Sequence, residues 1–229
     1  MKCAVMQPYL FPYLGYYQLV YAVDKFVFYD DVNFIKRGYI NRNNILVNGA
    51  AQRFTIPVPG ATQNKKINTF EFSMDVMKIL KTIQQAYNKA PYFQPVYEII
   101  KEVLTSNNRS VTYICKLSIE KVFDYLNLDK DYFVSSQLDY NRDLTAADKL
   151  ISISKRLECT EYINSPGGID LYQKEYFKEQ EIELSFINMI AGEYFQSNHD
   201  FVPYLSMIDV LMWNSKEQVK QLLEQYELV

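Results

Sequence analysis

Lys2-Cys3-Ala4-Val5-Met6-Gln7-Pro8-Tyr9-Leu10-Phe11-Pro12-Tyr13-Leu14-Gly15-Tyr16-Tyr17 is the stretch that decides the fold. Lys2 to Met6 is a short, mostly apolar run that reads as a strand. A turn carrying Pro8 and Pro12 follows, and from Leu14 to Val23 apolar residues recur at helical spacing. Lys25 to Tyr29 is a second apolar run of strand length, so the chain opens β-loop-α-β.

Working outward, the polar stretch from Asp30 to Tyr39 leads into two alternating runs, Arg42 to Val47 and Gln52 to Val58, separated by Asn48-Gly49. Asn-Gly between such runs is the strongest short-range hairpin signal. Pro57, Pro59 and Gly60 end the hairpin, and Ala61 to Asn68 reads as a polar surface loop. From Met74 to Asn127 the pattern is helical with breaks at Ala90-Pro91 and Ser106-Asn107-Asn108, which predicts three helices. Then α/β alternation returns: a strand at Tyr132 to Val134, a helix at Thr145 to Leu157, a strand at Glu161 to Ile163, a glycine turn, a helix at Leu171 to Gln180 and a strand at Glu183 to Ile187. Helices near Tyr204 to Trp213 and Lys216 to Glu227 close the chain. Such alternation predicts parallel strands with right-handed crossovers. The expected architecture is α/β, a mostly parallel sheet of Rossmann-like type with a β-hairpin and a central helical insertion at about 74–127, all within one domain spanning 1–229.

Open α/β sheets bind ligands outside the carboxyl ends of their strands. Here those ends present Gln7-Pro8, Asp30-Asp31, Ser135-Ser136-Gln137, Asn164-Ser165-Pro166-Gly167-Gly168 and Asn188, and this edge is the candidate site. Asp30 and Asp31 are its sharpest acidic element. Facing inward together they would raise each other's pKa, as suits a general base or a cation site; facing apart, one would fix a turn. Lys36, Arg37 and Arg42 lie among Asn41, Asn43 and Asn44, a set of donors suited to phosphate or carboxylate, or else a solvated approach to the hairpin. Asn164, Ser165, Gly167 and Gly168 lie between a strand and a helix, where consecutive glycines let backbone N–H groups turn toward an anion. This is neither a Walker loop nor a dinucleotide fingerprint, and Asp170 is a natural N-cap.

At 48% hydrophobic and 22% charged, with a formal charge of −3, the 229 residues read as an ordinary globular protein with no general electrostatic reason to bind nucleic acid. No stretch approaches the ~18 apolar residues of a membrane span, and the N-terminus lacks a signal-peptide pattern. Cys3, Cys115 and Cys159 are widely spaced, which argues against a disulfide framework or a zinc site and for a reducing cytoplasm. Cys115 and Cys159 read as buried thiols. With His199 the only histidine, a histidine-rich zinc centre is excluded, whereas a magnesium ion shared with a substrate phosphate is allowed. His199 itself, after Ser197-Asn198, reads as solvent-facing. The high tyrosine count suits cores and wet clefts alike, and Tyr16-Tyr17 equally suits a homo-oligomer interface.

The runs from Met6 to Tyr17, from Asp24 to Val32 and from Lys36 to Asn43, with Tyr162 to Gly168 and Leu205 to Leu211, resemble the WbqC-like family over nearly the whole chain. The resemblance implies a bacterial protein of surface-polysaccharide (O-antigen) biosynthesis and suggests transfer of glycine or a related acyl group to an amino sugar. Many members carry histidine where this chain has Met6, so a histidine-dependent step does not carry over. Gln7 and the Asp30-Asp31 pair then come first as candidates.

The leading expectation is a cytoplasmic acyl- or aminoacyltransferase acting on a nucleotide-linked amino sugar. Asp30 or Asp31 would take a proton from the attacking amine, Lys36 and Arg42 would hold phosphate, and the turn from Asn164 to Gly168 would donate backbone N–H groups. One alternative is a non-catalytic sugar- or nucleotide-binding partner of a biosynthetic complex. Another is an ATP-dependent enzyme, because the strand-loop-helix opening is similar in outline to nucleotidyltransferases that activate an acid, although their paired histidines are absent. No cofactor, acyl donor or sugar is named by these residues.

Overall fold

The computed structural model describes residues 1–190, 192–197 and 200–229, so His199 lies outside the described residues. Strands β1 (Lys2–Met6), β2 (Lys25–Phe28), β5 (Asp131–Val134), β6 (Glu161–Asn164) and β7 (Glu183–Met189) run parallel, and β8 (Tyr226–Leu228) pairs antiparallel with β7. Their order across the sheet is β5-β2-β1-β6-β7-β8. A separate hairpin joins β3 (Arg42–Val47) to β4 (Ala50–Thr55), and the described residues also form eight α-helices.

Alternation along the strands sends side chains to two cores. Ala4, Phe26, Phe28, Ile163 and Ile187 belong to the larger one, with α1 (Leu14–Ala22), α2 (Met77–Tyr87), α3 (Phe93–Leu104), α4 (Val111–Tyr125), α7 (Met207–Trp213) and α8 (Lys216–Leu223). Cys3, Val5, Val27, Tyr162, Leu184 and Phe186 belong to the other, with α5 (Ala146–Arg156) and α6 (Lys174–Glu179). From β1 the chain winds outward through β2 to β5, then crosses to β6 on the other side of β1 and continues to β7. The sheet is therefore doubly wound, with its switch point between β1 and β6.

The predicted elements appear with shifted ends. Asn48 (φ 50°) and Gly49 (φ 77°) form a two-residue turn with both φ values positive, so pairing begins at Val47 and Ala50 and the second hairpin strand starts before Gln52. The three insertion helices break where expected, and Ser110 caps α4. The closing helix predicted to reach Glu227 stops at Leu223. Tyr226, Glu227 and Leu228 instead pair with Met189, Asn188 and Ile187, covering the edge of β7 that would otherwise lie open. Among the described residues, no helix is long and apolar enough to cross a membrane. All three cysteines are buried and free.

Candidate functional site

The loop after β1 is held from several directions. The Leu10 N–H donates to the Ile40 carbonyl (3.1 Å) and the Phe11 N–H to Ser118 Oγ of α4 (3.2 Å). Phe11 has φ 40°, a left-handed conformation that costs energy in a bulky residue and survives only where its surroundings impose it. Its carbonyl accepts from Asn43 Nδ2 (2.6 Å) and Ser206 Oγ (2.7 Å), tying the hairpin and the start of α7 to this loop. The Met207 N–H then donates to the Pro12 carbonyl (2.8 Å). Strand β1 thus ends in a rigid wall.

Behind that wall, at the switch point, lies a cavity of about 310 Å³. Met6, Gln7 and Tyr9 line it from the end of β1, and Gly15 and Gln18 from α1. Ser165 and Pro166 line it from the end of β6, and Ile35 and Tyr39 from its mouth. None of the described residues lining it is formally charged. Tyr16 and Tyr9 meet edge-on at 6.0 Å, Tyr9 and Tyr39 lie 5.6 Å apart, and the Arg42 guanidinium sits 5.9 Å from the Tyr39 ring. A tyrosine ladder therefore runs from buried Tyr16 to Tyr39, which is 54% exposed at the rim. Burial first, then the neighbouring Tyr39 and Tyr13 phenols, raises the Tyr9 pKa, and burial raises those of Tyr13 and Tyr16. These hydroxyls stay neutral at physiological pH and act as hydrogen-bonding groups. Gly15 lets the wall close: a Cβ there would lie 2.6 Å from the Tyr13 ring.

The structure distributes the predicted residues along the edge instead of gathering them. Gln7 and Ser165 line the cavity. Lys36 is exposed in the segment between Ile35 and Gly38, and Arg42 Nε donates to the Gly38 carbonyl (2.6 Å), so Arg42 stands at the mouth. Asn41 Nδ2 is committed to the Ile56 carbonyl (2.8 Å) and Asn43 to Phe11, so both amides serve the fold. Asn164 Oδ1 accepts from the Ser165 N–H (2.8 Å). Residues Pro166–Gly168 form a 3₁₀ turn in which the Gly168 N–H donates to the Ser165 carbonyl (3.0 Å). Glycine at 168 is favoured by close approach, because a Cβ there would lie 2.5 Å from Asn164 Nδ2. Helix α6 begins only at Lys174, with Gln173 and not Asp170 at its N-cap.

Asp30 and Asp31 point into different recesses, both one strand away from the cavity. Asp30 is 2% exposed and accepts from Thr112 Oγ1 (3.1 Å), the Ser136 N–H (3.0 Å) and Ser136 Oγ (3.0 Å), while its own N–H donates to Ser135 Oγ (3.0 Å). It borders a polar cleft of about 480 Å³ with Ser110, Lys116 and Gln137. That cleft is larger than the switch-point cavity, but its one carboxylate already accepts three hydrogen bonds. Asp31, 8% exposed, accepts from Ser135 Oγ, Tyr140 Oη (2.8 Å) and Arg142 Nε (2.7 Å). Burial raises its carboxyl, but hydrogen bonds from Ser135, Tyr140 and Arg142 and the Arg142 charge outweigh that and hold it below the usual range. The arrangement anchors a charged carboxylate and does not prepare a proton acceptor. Among the described residues, no group of three or more His, Cys, Asp or Glu could hold a metal ion.

Tyr16 and Tyr17, expected to suit a subunit interface, are instead buried. Tyr17 stacks on Phe123 at 6.1 Å and its hydroxyl donates to the Ser118 carbonyl (3.3 Å). Sequence reasoning missed the tyrosine ladder and Gln18. A visible signal was one amide inside the apolar run Leu14 to Ala22, three residues from Gly15 and so on the same helical face.

Fold and site together define a doubly wound α/β protein with an uncharged, tyrosine-walled cavity at its switch point. The chain belongs to the WbqC-like protein family, which it matches over residues 7–221. Rv1507c, an uncharacterized protein of Mycobacterium tuberculosis (strain ATCC 25618 / H37Rv), is 24% identical over 215 residues, covering 92% of each chain. No solved structure matches.

Proposed function

We propose that this chain is an acyl- or aminoacyltransferase that binds a nucleotide-linked amino sugar in the switch-point cavity. The observation that carries the reading is an uncharged aromatic cavity with Arg42 against its rim residues Tyr39 and Gly38, and Lys36 and Arg37 exposed in the chain segment between Ile35 and Gly38. Tyrosine walls take a flat or apolar group, and the cations at the rim take the phosphates attached to it. Gln7 and Ser165 supply the few polar contacts that orient the ligand.

In the transfer step the sugar amine attacks the acyl carbonyl. A C–N bond forms, the bond to the donor's leaving group breaks, and the nitrogen's proton departs with that group. The amine must be neutral to attack. An uncharged cavity favours the neutral form by desolvation, without a carboxylate base. Asp30 and Asp31 then shape the edge instead of accepting the proton.

A second reading, sugar or nucleotide binding without turnover, is favoured by one observation: no carboxylate, imidazole or lysine lines the cavity among the described residues. A thermal-shift panel of ATP, coenzyme A and nucleotide-linked amino sugars, followed by a turnover assay with acyl donors, tests both. A shift with an amino-sugar nucleotide that is lost in Arg42→Ala, together with acylated product, supports the transferase. The same shift with no product under any donor moves the conclusion to the binding role.

A further inference from the structure

Gln18 sits in the middle of α1, 0% exposed, among apolar neighbours. Its Nε2 donates to the carbonyls of Leu222 (2.8 Å) and Gln225 (3.0 Å), at and just past the end of α8. Two acceptors on one side settle the orientation of the amide, because the flipped form would set Oε1 against two carbonyl oxygens. Oε1 therefore faces away from α8. It has no hydrogen-bond partner among the described residues, and Gln18 is one of the residues bounding the switch-point cavity. A buried acceptor left unpaired in a folded core calls for a partner from outside the chain.

We propose that Gln18 Oε1 is the specificity-determining acceptor of this cavity, reading a neutral N–H donor on the group that fills it. This inference rests on the cavity being the ligand site of the proposed function. The donor is neutral because a lone amide oxygen between uncharged walls does not offset the desolvation of an ammonium ion. Two parts of a nucleotide-linked amino sugar carry such a donor: the ring N–H of the nucleobase and the neutral amine of the sugar. The same acceptor serves either, and which part enters sets the direction in which the ligand threads the mouth at Tyr39. Gln18 thus ties α1 to the end of α8 through its nitrogen and leaves its buried oxygen unpaired.

Binding of uridine 5′-diphosphate and its N3-methyl analogue, and of glucosamine 1-phosphate and its N,N-dimethyl analogue, is to be measured by calorimetry on wild type and on the near-isosteric Gln18→Met. The expected result is that one pair shows at least roughly tenfold weaker binding on methylation in wild type. In Gln18→Met that ratio collapses toward one. The pair that discriminates identifies whether base or sugar supplies the donor. For wild type alone, the Gln18 side-chain amide resonance should shift with the donor-bearing ligand and not with its methylated form, which keeps the test valid if the variant does not fold. Equal binding within both pairs, a discriminating ratio unchanged in Gln18→Met, or no binding of any probe overturns the assignment. Nucleotide binding indifferent to both methylation and Gln18→Met leaves the transferase reading standing without Gln18. Discrimination through Gln18 with no product under any acyl donor keeps Gln18 and removes the transferase.

Discussion

The two halves of the sheet's carboxyl edge solve opposite problems. At the end of β2, Asp30 and Asp31 bring two charges into the interior, and five side chains are spent on them: Thr112, Ser135, Ser136, Tyr140 and Arg142. At the switch point, charge is absent from the described lining and one buried acceptor, Gln18 Oε1, is left unpaired among the described residues. Buried polar groups that already have partners hold a fold together, whereas one without a partner on the rim of a cavity is placed to take one from outside the chain. The conspicuous acidic pair is thus the better candidate for structure, and the inconspicuous amide for binding.

Asp209 sharpens the contrast and carries the largest expected effect. Like Asp31 it is a buried carboxylate, but its donors are the phenols Tyr87 (2.8 Å) and Tyr194 (3.1 Å) instead of a cation. Burial outweighs the hydrogen bonds from Tyr87, Tyr194 and Gln196 and pushes its carboxyl up to about 6. A raised pKa means the folded state binds the proton more tightly than the unfolded chain. The stabilisation is fully present below the ordinary value of 3.8 and is lost as pH rises to about 6, a loss on the order of 3 kcal/mol. Urea denaturation of wild type and Asp209→Asn across pH 4 to 8 should show a difference that grows through this window, and a flat difference would break the distinction. Asp31 has the opposite sign. Its lowered pKa gives stability present above the ordinary value and lost as pH falls through the folded pKa.

Next in size is Asp31→Asn, which leaves Arg142 without its carboxylate. With the Arg142 side chain 37% exposed and that of Asp31 2%, solvent screening trims the usual cost of breaking a buried pair to about 2 kcal/mol. Stability should fall while nucleotide affinity per folded molecule stays unchanged. A stable variant that has lost binding or turnover would reverse the roles given to the two halves of the edge.

Arg42→Ala should weaken binding of a nucleotide diphosphate about tenfold, with the corresponding nucleoside little affected, as calorimetry at low and moderate salt would show. An equal loss for both would mean that Arg42 acts by bracing Tyr39 and Gly38 instead of meeting phosphate. The smallest effect is expected from Gly168→Ala. The new Cβ would press on Asn164, whose amide is a movable side-chain end, so destabilisation of about 1 kcal/mol is expected in a thermal melt. A larger loss accompanied by weaker ligand binding would show that the turn does more than support Ser165.

Much of the frame was legible because it rests on local rules. Apolar runs of strand length between helical periodicities specify parallel strands, and Asn48-Gly49 specifies the hairpin turn. Other parts depended on distant partners. The last helix ends early because Tyr226, Glu227 and Leu228 gain more by pairing with β7 than by continuing α8, and residues nearly forty positions away supply that pairing. The split of the edge into separate recesses follows from which way Asp30 and Asp31 turn, which is set by Ser135, Ser136 and Arg142 more than a hundred positions along the chain.

The sequence by itself determined the doubly wound frame, the carboxyl edge as the place to look, and the membership of the chain in its family. Period, turn chemistry and motif are properties of neighbouring residues. Only the tertiary structure decided that Tyr9, Tyr16 and Tyr39 form one ladder, that the acidic pair is held by its own donors and that Gln18 keeps an unpaired oxygen. Whether a polar atom is satisfied depends on what long-range packing brings within about 3 Å of it, and no local pattern encodes that.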